Sequence, residues 1–217
     1  MIDYTVLRRN MVESQVMPND ITDRRLLRAM GEVPRELFVG EAQQPVAYID
    51  VALKIAKGRL MLAPMQVARL IQLARLEAGQ TVLEIGCGTG YASAVMAQLA
   101  GTVVALESDP ALARQARQTL ASLGQGKVKV VEGPLEVGHA ADGPYDAILI
   151  SGSIPEVPDR IGRQLKDGGR LIAIIGETAP GRITVFTRLG NGLSARDHFD
   201  APVAPLPGFE RAPSFVF

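Results

Sequence analysis

The ten residues Val82-Leu83-Glu84-Ile85-Gly86-Cys87-Gly88-Thr89-Gly90-Tyr91 constrain this chain more than any other stretch. Val82, Leu83 and Ile85 read as a buried strand. Gly86, Gly88 and Gly90 let the backbone turn tightly and approach a ligand closely. Tyr91 then opens a helix, whose first N–H groups have no partner within the helix. Strand, glycine turn and helix start in that order predict a site for a nucleotide-type cofactor.

The surrounding pattern says what kind of sheet carries that turn. From Thr81 onward, strand-like and helix-like segments alternate: strands at 81–85, 102–107, 128–132, 145–150 and 170–175, with helices at 91–99, 110–123 and 158–165. This alternation predicts an α/β fold, a doubly wound and mostly parallel sheet with helices on both faces. The last strands, 182–188 and 193–199, have no helix between them and predict an antiparallel hairpin at the C-terminal edge. The first third reads as helical, over 6–16, 21–30 and 33–38, with Thr22 as a candidate N-cap and Pro34 in a first turn. Residues 45–58 have no clear period and read as a loop or short edge strands. Pro64 to Leu76 carries Val67, Leu70, Ile71 and Ala74 at helical spacing. No shift of composition marks a linker. The whole chain, 1–217, therefore reads as one domain: an N-terminal helical extension over 1–63, a cofactor-binding core over 64–200 and a proline-rich tail over 201–217.

Two acids refine the cofactor. Glu107 ends the second strand of the alternation, where a carboxylate accepts hydrogen bonds from both hydroxyls of a ribose. Glu84 lies inside the strand before the first glycine, and a buried carboxylate there needs a partner. Turn N–H groups or the ammonium of a methionine moiety would serve, whereas a pyrophosphate would be repelled. A dinucleotide fingerprint also wants a third glycine where Tyr91 stands. The pattern favours S-adenosylmethionine over a dinucleotide.

Composition excludes several classes. Twenty-three basic residues balance 23 acidic ones, which leaves no general electrostatic footprint for nucleic acid. The single cysteine cannot form an intrachain disulfide. No apolar run approaches the roughly 18 residues of a membrane span, and the first residues lack the apolar core of a signal peptide. A cytoplasmic protein with no nucleic-acid or membrane partner is expected.

At this point the chain resembles the protein-L-isoaspartate O-methyltransferases. The resemblance rests on Asn10-Met11-Val12-Glu13, on Val33-Pro34-Arg35-Glu36-Leu37-Phe38-Val39, on Ala47-Tyr48-Ile49-Asp50 with Leu53-Lys54-Ile55, on Val82 to Tyr91, on Tyr145 to Ile148, and on Pro155 to Leu171. It implies a Rossmann-like methyltransferase fold that binds S-adenosylmethionine. It also implies a repair activity, methyl transfer to the free α-carboxylate of isoaspartyl residues in protein or peptide substrates. A carboxylate with a pKa of about 4 is ionised at neutral pH and needs no general base, so the work is alignment and desolvation. The expected donor-binding residues are Met61, Leu62, Glu84, Gly86, Cys87, Gly88, Gly90, Tyr91, Glu107, Ser108, Gly133 and Pro134.

The chain departs from the family at two places. Where the family has T-I-S-x-P, this sequence has Leu60-Met61-Leu62-Ala63-Pro64, so Leu62 stands at the position of the serine that meets the substrate carboxylate. A leucine donates no hydrogen bond, which leaves the catalytic residue unassigned. Where the family has an aspartate that reaches the adenine, Gly133 is followed by Pro134. These departures motivate two other readings, a catalytically weak relative acting as a donor-binding regulatory module, and a methyltransferase for a different, more apolar acceptor. Cys87 reads as a small buried side chain, His139 and His198 as exposed, and Arg24, Arg25, Arg28, Arg69 and Arg75 as solvated. Ser151 and Ser153 read as satisfying loop backbone. No metal site is expected.

Overall fold

The structure is a computed structural model of the chain and describes residues 2–176 and 180–210. Helix α1 (Tyr4–Met11) runs into a wider π turn over Val12–Val16. Helix α2 (Arg24–Glu32) is capped by Asp23, whose Oδ1 accepts from the N–H groups of Arg25 at 2.8 Å and Leu26 at 3.4 Å. The cap is therefore Asp23 and not Thr22, because the carboxylate one residue later reaches both free donors. Arg35–Phe38 forms a 3-10 turn entered through Pro34. A two-stranded hairpin follows, β1 (Leu53–Ala56) with β2 (Arg59–Met61), turning at Gly58 with φ +70°. Helix α3 (Pro64–Ala74) leads into the main sheet.

From there the expected alternation appears: β3 (Thr81–Ile85), α4 (Tyr91–Ala97), β4 (Thr102–Glu107), α5 (Pro110–Ser122), β5 (Val128–Glu132), β6 (Tyr145–Ile154), α6 (Asp159–Gly162) and β7 (Leu165–Ile175). The antiparallel hairpin β8 (Gly181–Leu189) and β9 (Gly192–Ala201) closes the sheet as predicted. The seven strands lie in the order β5-β4-β3-β6-β7-β8-β9, parallel from β5 to β7. The order reverses between β3 and β6, so their carboxyl ends frame the crevice where such sheets bind ligands.

The central strands β3, β4, β6 and β7 are buried on both faces, which is why they read as nearly continuous apolar runs. Val82, Val103, Ala147, Leu149, Ile172 and Ile174 face α3, α4 and the N-terminal helices. Their neighbours Leu83, Val104, Leu106, Ile148 and Ile150 face the opposite side, which is covered by Ile161 of α6 and by Leu206 and Phe209 of the C-terminal segment. That segment is the first part of the expected tail. It runs back along β6, with Leu206 N–H donating to the Ser153 carbonyl at 2.9 Å and Ser153 N–H to that of Ala204 at 3.2 Å. The rest of the tail, 211–217, lies outside the described residues. Among the described residues no helix is long and apolar enough to cross a membrane.

Two glycines test this packing in opposite directions. Around Gly31 in α2 a Cβ would meet open space, so Gly31→Ala is expected to raise stability by about 0.5 kcal/mol through helix propensity. At Gly169 a Cβ would lie 2.8 Å from the Lys166 carbonyl oxygen and 3.1 Å from that of Asp146. Gly169→Ala is expected to lower stability by about 1–3 kcal/mol. Urea unfolding of both variants checks the pair.

Candidate active site

The glycine turn sits at the carboxyl end of β3, with Gly86, Gly88 and Gly90 at φ +79°, +57° and +94°. Only glycine adopts this region without strain. The Gly86 and Cys87 N–H groups both donate to the Leu106 carbonyl, at 2.9 and 3.1 Å, which ties the turn to β4. The three glycines do different work. A Cβ at Gly90 would lie 3.0 Å from Leu120 of α5, so this position lets helix and turn pack. Gly86 and Gly88 face the crevice.

Glu107 is fully buried at the end of β4. Its Oε1 accepts from the N–H groups of Ser108 at 2.8 Å and Asp109 at 3.0 Å, and its Oε2 from Gly88 N–H at 2.8 Å. The guanidinium of Arg59, on the hairpin, then closes on both oxygens: Nη2 donates to Oε2 at 2.7 Å and Nη1 donates to Oε1. The pair is a bidentate ion pair, with the Arg59 side chain 5 % exposed and that of Glu107 not at all. Glu84, also buried, accepts from the hydroxyls of Ser93 and Ser151, the latter at 2.6 Å. Burial pushes its carboxyl above the usual range, and the nearby Glu107 adds to that, against the lowering effect of the two hydroxyls. Ser151 therefore serves Glu84 and not loop backbone, as the sequence had suggested. Ser153 does serve the loop, its Oγ donating to the Val203 carbonyl at 3.3 Å.

The N-terminal layer braces this turn. Arg35, with no exposed surface, donates from Nε to the Ala47 carbonyl at 2.7 Å and from Nη2 to the Leu62 carbonyl at 2.6 Å. Its guanidinium stacks on the Tyr91 ring, 4.6 Å from the centroid. Thr89 Oγ1 donates to the Phe38 carbonyl at 2.7 Å, and the Phe38 ring meets Tyr91 edge-on at 5.6 Å. Glu36 accepts from Arg8 and from Tyr48. Among the described residues, the Arg35 Nη1 and the Tyr91 hydroxyl are buried with no hydrogen bond of ordinary geometry, and each stabilises the other electrostatically.

Of the expected site residues, Met61, Leu62, Glu84, Gly86, Cys87 and Tyr91 line one small cavity, together with Ile55, Leu60, Thr89 and Ser151. Its volume is about 20 Å³, the space of a single water. Gly88 adjoins it beneath Ile55, and Ser108 lies behind Glu107. Gly133 and Pro134 follow β5, one strand further out. Cys87 is buried, and burial beside Glu84 and Glu107 raises its thiol well above the usual range, which suits an inert side chain. Arg69 is less solvated than expected, its guanidinium lying 4.5 Å from the Phe199 ring centroid. His139 is half-buried and meets Asp142 at 2.9 Å, whereas His198 is exposed. Sequence reasoning assigned no role to Arg59, and no spacing rule would have placed a hairpin arginine on a strand-end carboxylate.

The donor set fits an adenosyl ligand. Two buried carboxylates, Glu84 and Glu107, flank a glycine cradle that a Cβ at Gly86 or Gly88 would fill, and acceptors of this kind suit the hydroxyls and ammonium of such a ligand. Both oxygens of Glu107, however, already accept from Arg59.

Fold and site define a Rossmann-like, S-adenosylmethionine-type methyltransferase architecture. The family model described as protein-L-isoaspartate(D-aspartate) O-methyltransferase matches residues 8–203. A protein-L-isoaspartate O-methyltransferase of Herpetosiphon aurantiacus is 39% identical over 95% of this chain and 93% of its own. A second, from Anaeromyxobacter, is 40% identical over 92% of this chain and 82% of its own. A solved protein-L-isoaspartate O-methyltransferase superposes with a TM-score of 0.83 at 26% identity, covering 93% of this chain and 67% of that one. The chain belongs to the protein-L-isoaspartate O-methyltransferase family. A Plasmodium falciparum structure in complex with S-adenosyl-L-homocysteine shares the fold, with a TM-score of 0.77 at 21% identity, over 93% of this chain and 98% of that one.

Glu84 gives a pH test. Its folded pKa is raised above its ordinary value of 4.5, so its ionisation costs the native state nothing below that value. The cost grows as pH rises from there through the raised pKa. Glu84→Gln removes it. The melting temperature of Glu84→Gln relative to wild type is expected to climb as pH rises above 4.5, as measured by thermal unfolding across a pH series. A pH-independent difference would contradict the account.

Proposed function

We propose that this chain is an S-adenosylmethionine-dependent carboxyl O-methyltransferase whose acceptor is the isoaspartyl α-carboxylate of a protein or peptide. The observation that carries the reading is the intact donor cradle, Gly86 and Gly88 between Glu84 and Glu107, in a chain that matches the family along nearly its whole length. The bound donor supplies a methyl group already activated by its sulfonium. Glu107 holds the ribose hydroxyls, with Ser108, Gly133 and Pro134 at the adenine side. Glu84, with Cys87 and Tyr91, lines the methionine side. Gly90 keeps the turn against α5.

The acceptor side is apolar in this chain. Ile55, Leu60, Met61, Leu62 and Val67 wall the cavity opposite Glu84 and Ser151. Such walls exclude water from an ionised carboxylate nucleophile and strip part of its hydration. They offer it no hydrogen bond at Leu62, whose backbone carbonyl is itself held by Arg35. The acceptor is thus aligned by shape at that position, and the family's hydroxyl contribution is missing.

Labelled methyl donor and an isoaspartyl peptide test this directly. Label is expected in the peptide as a base-labile ester, at a rate that rises about 10–100-fold in Leu62→Ser, the worth of one hydrogen bond to a charged group. No transfer by either protein, alongside measurable donor binding, would overturn the isoaspartyl assignment.

A further inference from the structure

The chain fills its own donor cradle with three groups from two segments. On the hairpin, Ile55 stands over Gly88, so that a Cβ there would lie 2.6 Å from its Cδ1. Strand β2 begins directly after the hairpin turn, and its first residue, Arg59, sends its guanidinium to both oxygens of Glu107. From the C-terminal segment, Leu206 covers the other glycine, 2.9 Å from a Cβ at Gly86. The same leucine sits over Gly152 at the end of β6, where a Cβ would lie 2.3 Å from its Cγ. Little space is left: the cavity beside Ile55 holds about one water, and the one that Arg59 and Leu206 line is about 10 Å³.

Glu107 decides what this means. The backbone N–H groups of Gly88, Ser108 and Asp109 all donate to it. A vicinal diol would need acceptor positions on this same carboxylate, and Arg59 donates to both of its oxygens. A carboxylate has about four lone-pair sites, and here six donors, the Ser108 hydroxyl at 3.4 Å among them, already converge on it. A ribose and the Arg59 guanidinium therefore compete for this carboxylate.

We propose that Arg59 is a competitor of the methyl donor, and that the hairpin over 53–61 and the segment around Leu206 form a gate. In this closed form the guanidinium stands in for the ribose hydroxyls. Donor binding requires it to leave Glu107, and the chain's affinity for the donor is set by that exchange. The tip of the gate is not packed against the body: Lys57 and Gly58 are exposed and a Cβ at Gly58 would meet nothing within 4 Å. Its base is fixed, by Arg35 on the Leu62 carbonyl and by Asp50 accepting from Met65 N–H at 3.0 Å. The proposal rests on the donor-site reading above, and its test separates the two.

Calorimetry with S-adenosyl-L-homocysteine on the full chain reads the exchange without any turnover. Wild type is expected to bind at least tenfold more weakly than Arg59→Gln, which keeps a polar side chain of similar reach without the charge. Circular dichroism confirms that the variant is folded; should it not be, Leu206→Ala clears the cradle over Gly86 and is expected to tighten binding in the same direction. Equal or tighter binding by wild type would overturn the gate and leave the methyltransferase reading standing. Absence of binding by wild type and by both variants would overturn the gate and the donor-site reading together, leaving the ion pair a purely structural one.

Discussion

The buried carboxylate of Glu107 is the constraint on which the site depends. A charge placed at a strand end with no exposed surface has to be paired and hydrogen-bonded on every side. Meeting that requirement gathers four separate pieces of chain: the glycine turn through Gly88, the start of α5 through Ser108 and Asp109, the end of β4 itself, and the hairpin through Arg59. Removing one partner of such a pair typically costs about 3–5 kcal/mol. The hairpin is thus bound to the sheet through Glu107, the group proposed to hold the donor's ribose. Under the proposed exchange, stability of the closed form and affinity for the donor would draw on that one carboxylate and oppose each other.

The N-terminal layer fixes the other side of the crevice. Arg35 spans two backbone carbonyls, Ala47 and Leu62, and stacks on Tyr91 at the first residue of α4. One buried cation therefore sets the position of the acceptor-side loop, the base of the hairpin and the aromatic wall of the cavity. This explains in physical terms why Val33 to Phe38, remote in sequence from the glycine turn, belongs to the same functional unit. Losing the family serine at Leu62 leaves this frame untouched, because Arg35 holds the backbone of that residue and not its side chain.

Much of this was legible in the residues themselves. Alternating strand and helix periods gave the parallel sheet, since strands buried on both faces are unbroken apolar runs and their helices are amphipathic. Glycines at alternate positions marked the turn, and Glu84 and Glu107 were found because acids in apolar strands need a reason. Other features depend on contacts that no local pattern encodes. Ser93 and Ser151 converge on Glu84 from a helix and from a strand 67 residues away in sequence. Arg59 reaches Glu107 across 48 residues. The strands β1 and β2 are only four and three residues long, too short for a periodic signal. Leu206, in a proline-rich segment that reads as irregular, gains its position only by pairing alongside β6.

The central claim is that Arg59 and the donor's ribose share one acceptor. A crystal structure of the chain with S-adenosyl-L-homocysteine tests it most directly. The account predicts the ribose hydroxyls on the oxygens of Glu107, with the Arg59 guanidinium withdrawn and Ile55 and Leu206 displaced from the glycines. A complex in which Arg59 remains on both oxygens of Glu107 while the ligand is fully bound would contradict it.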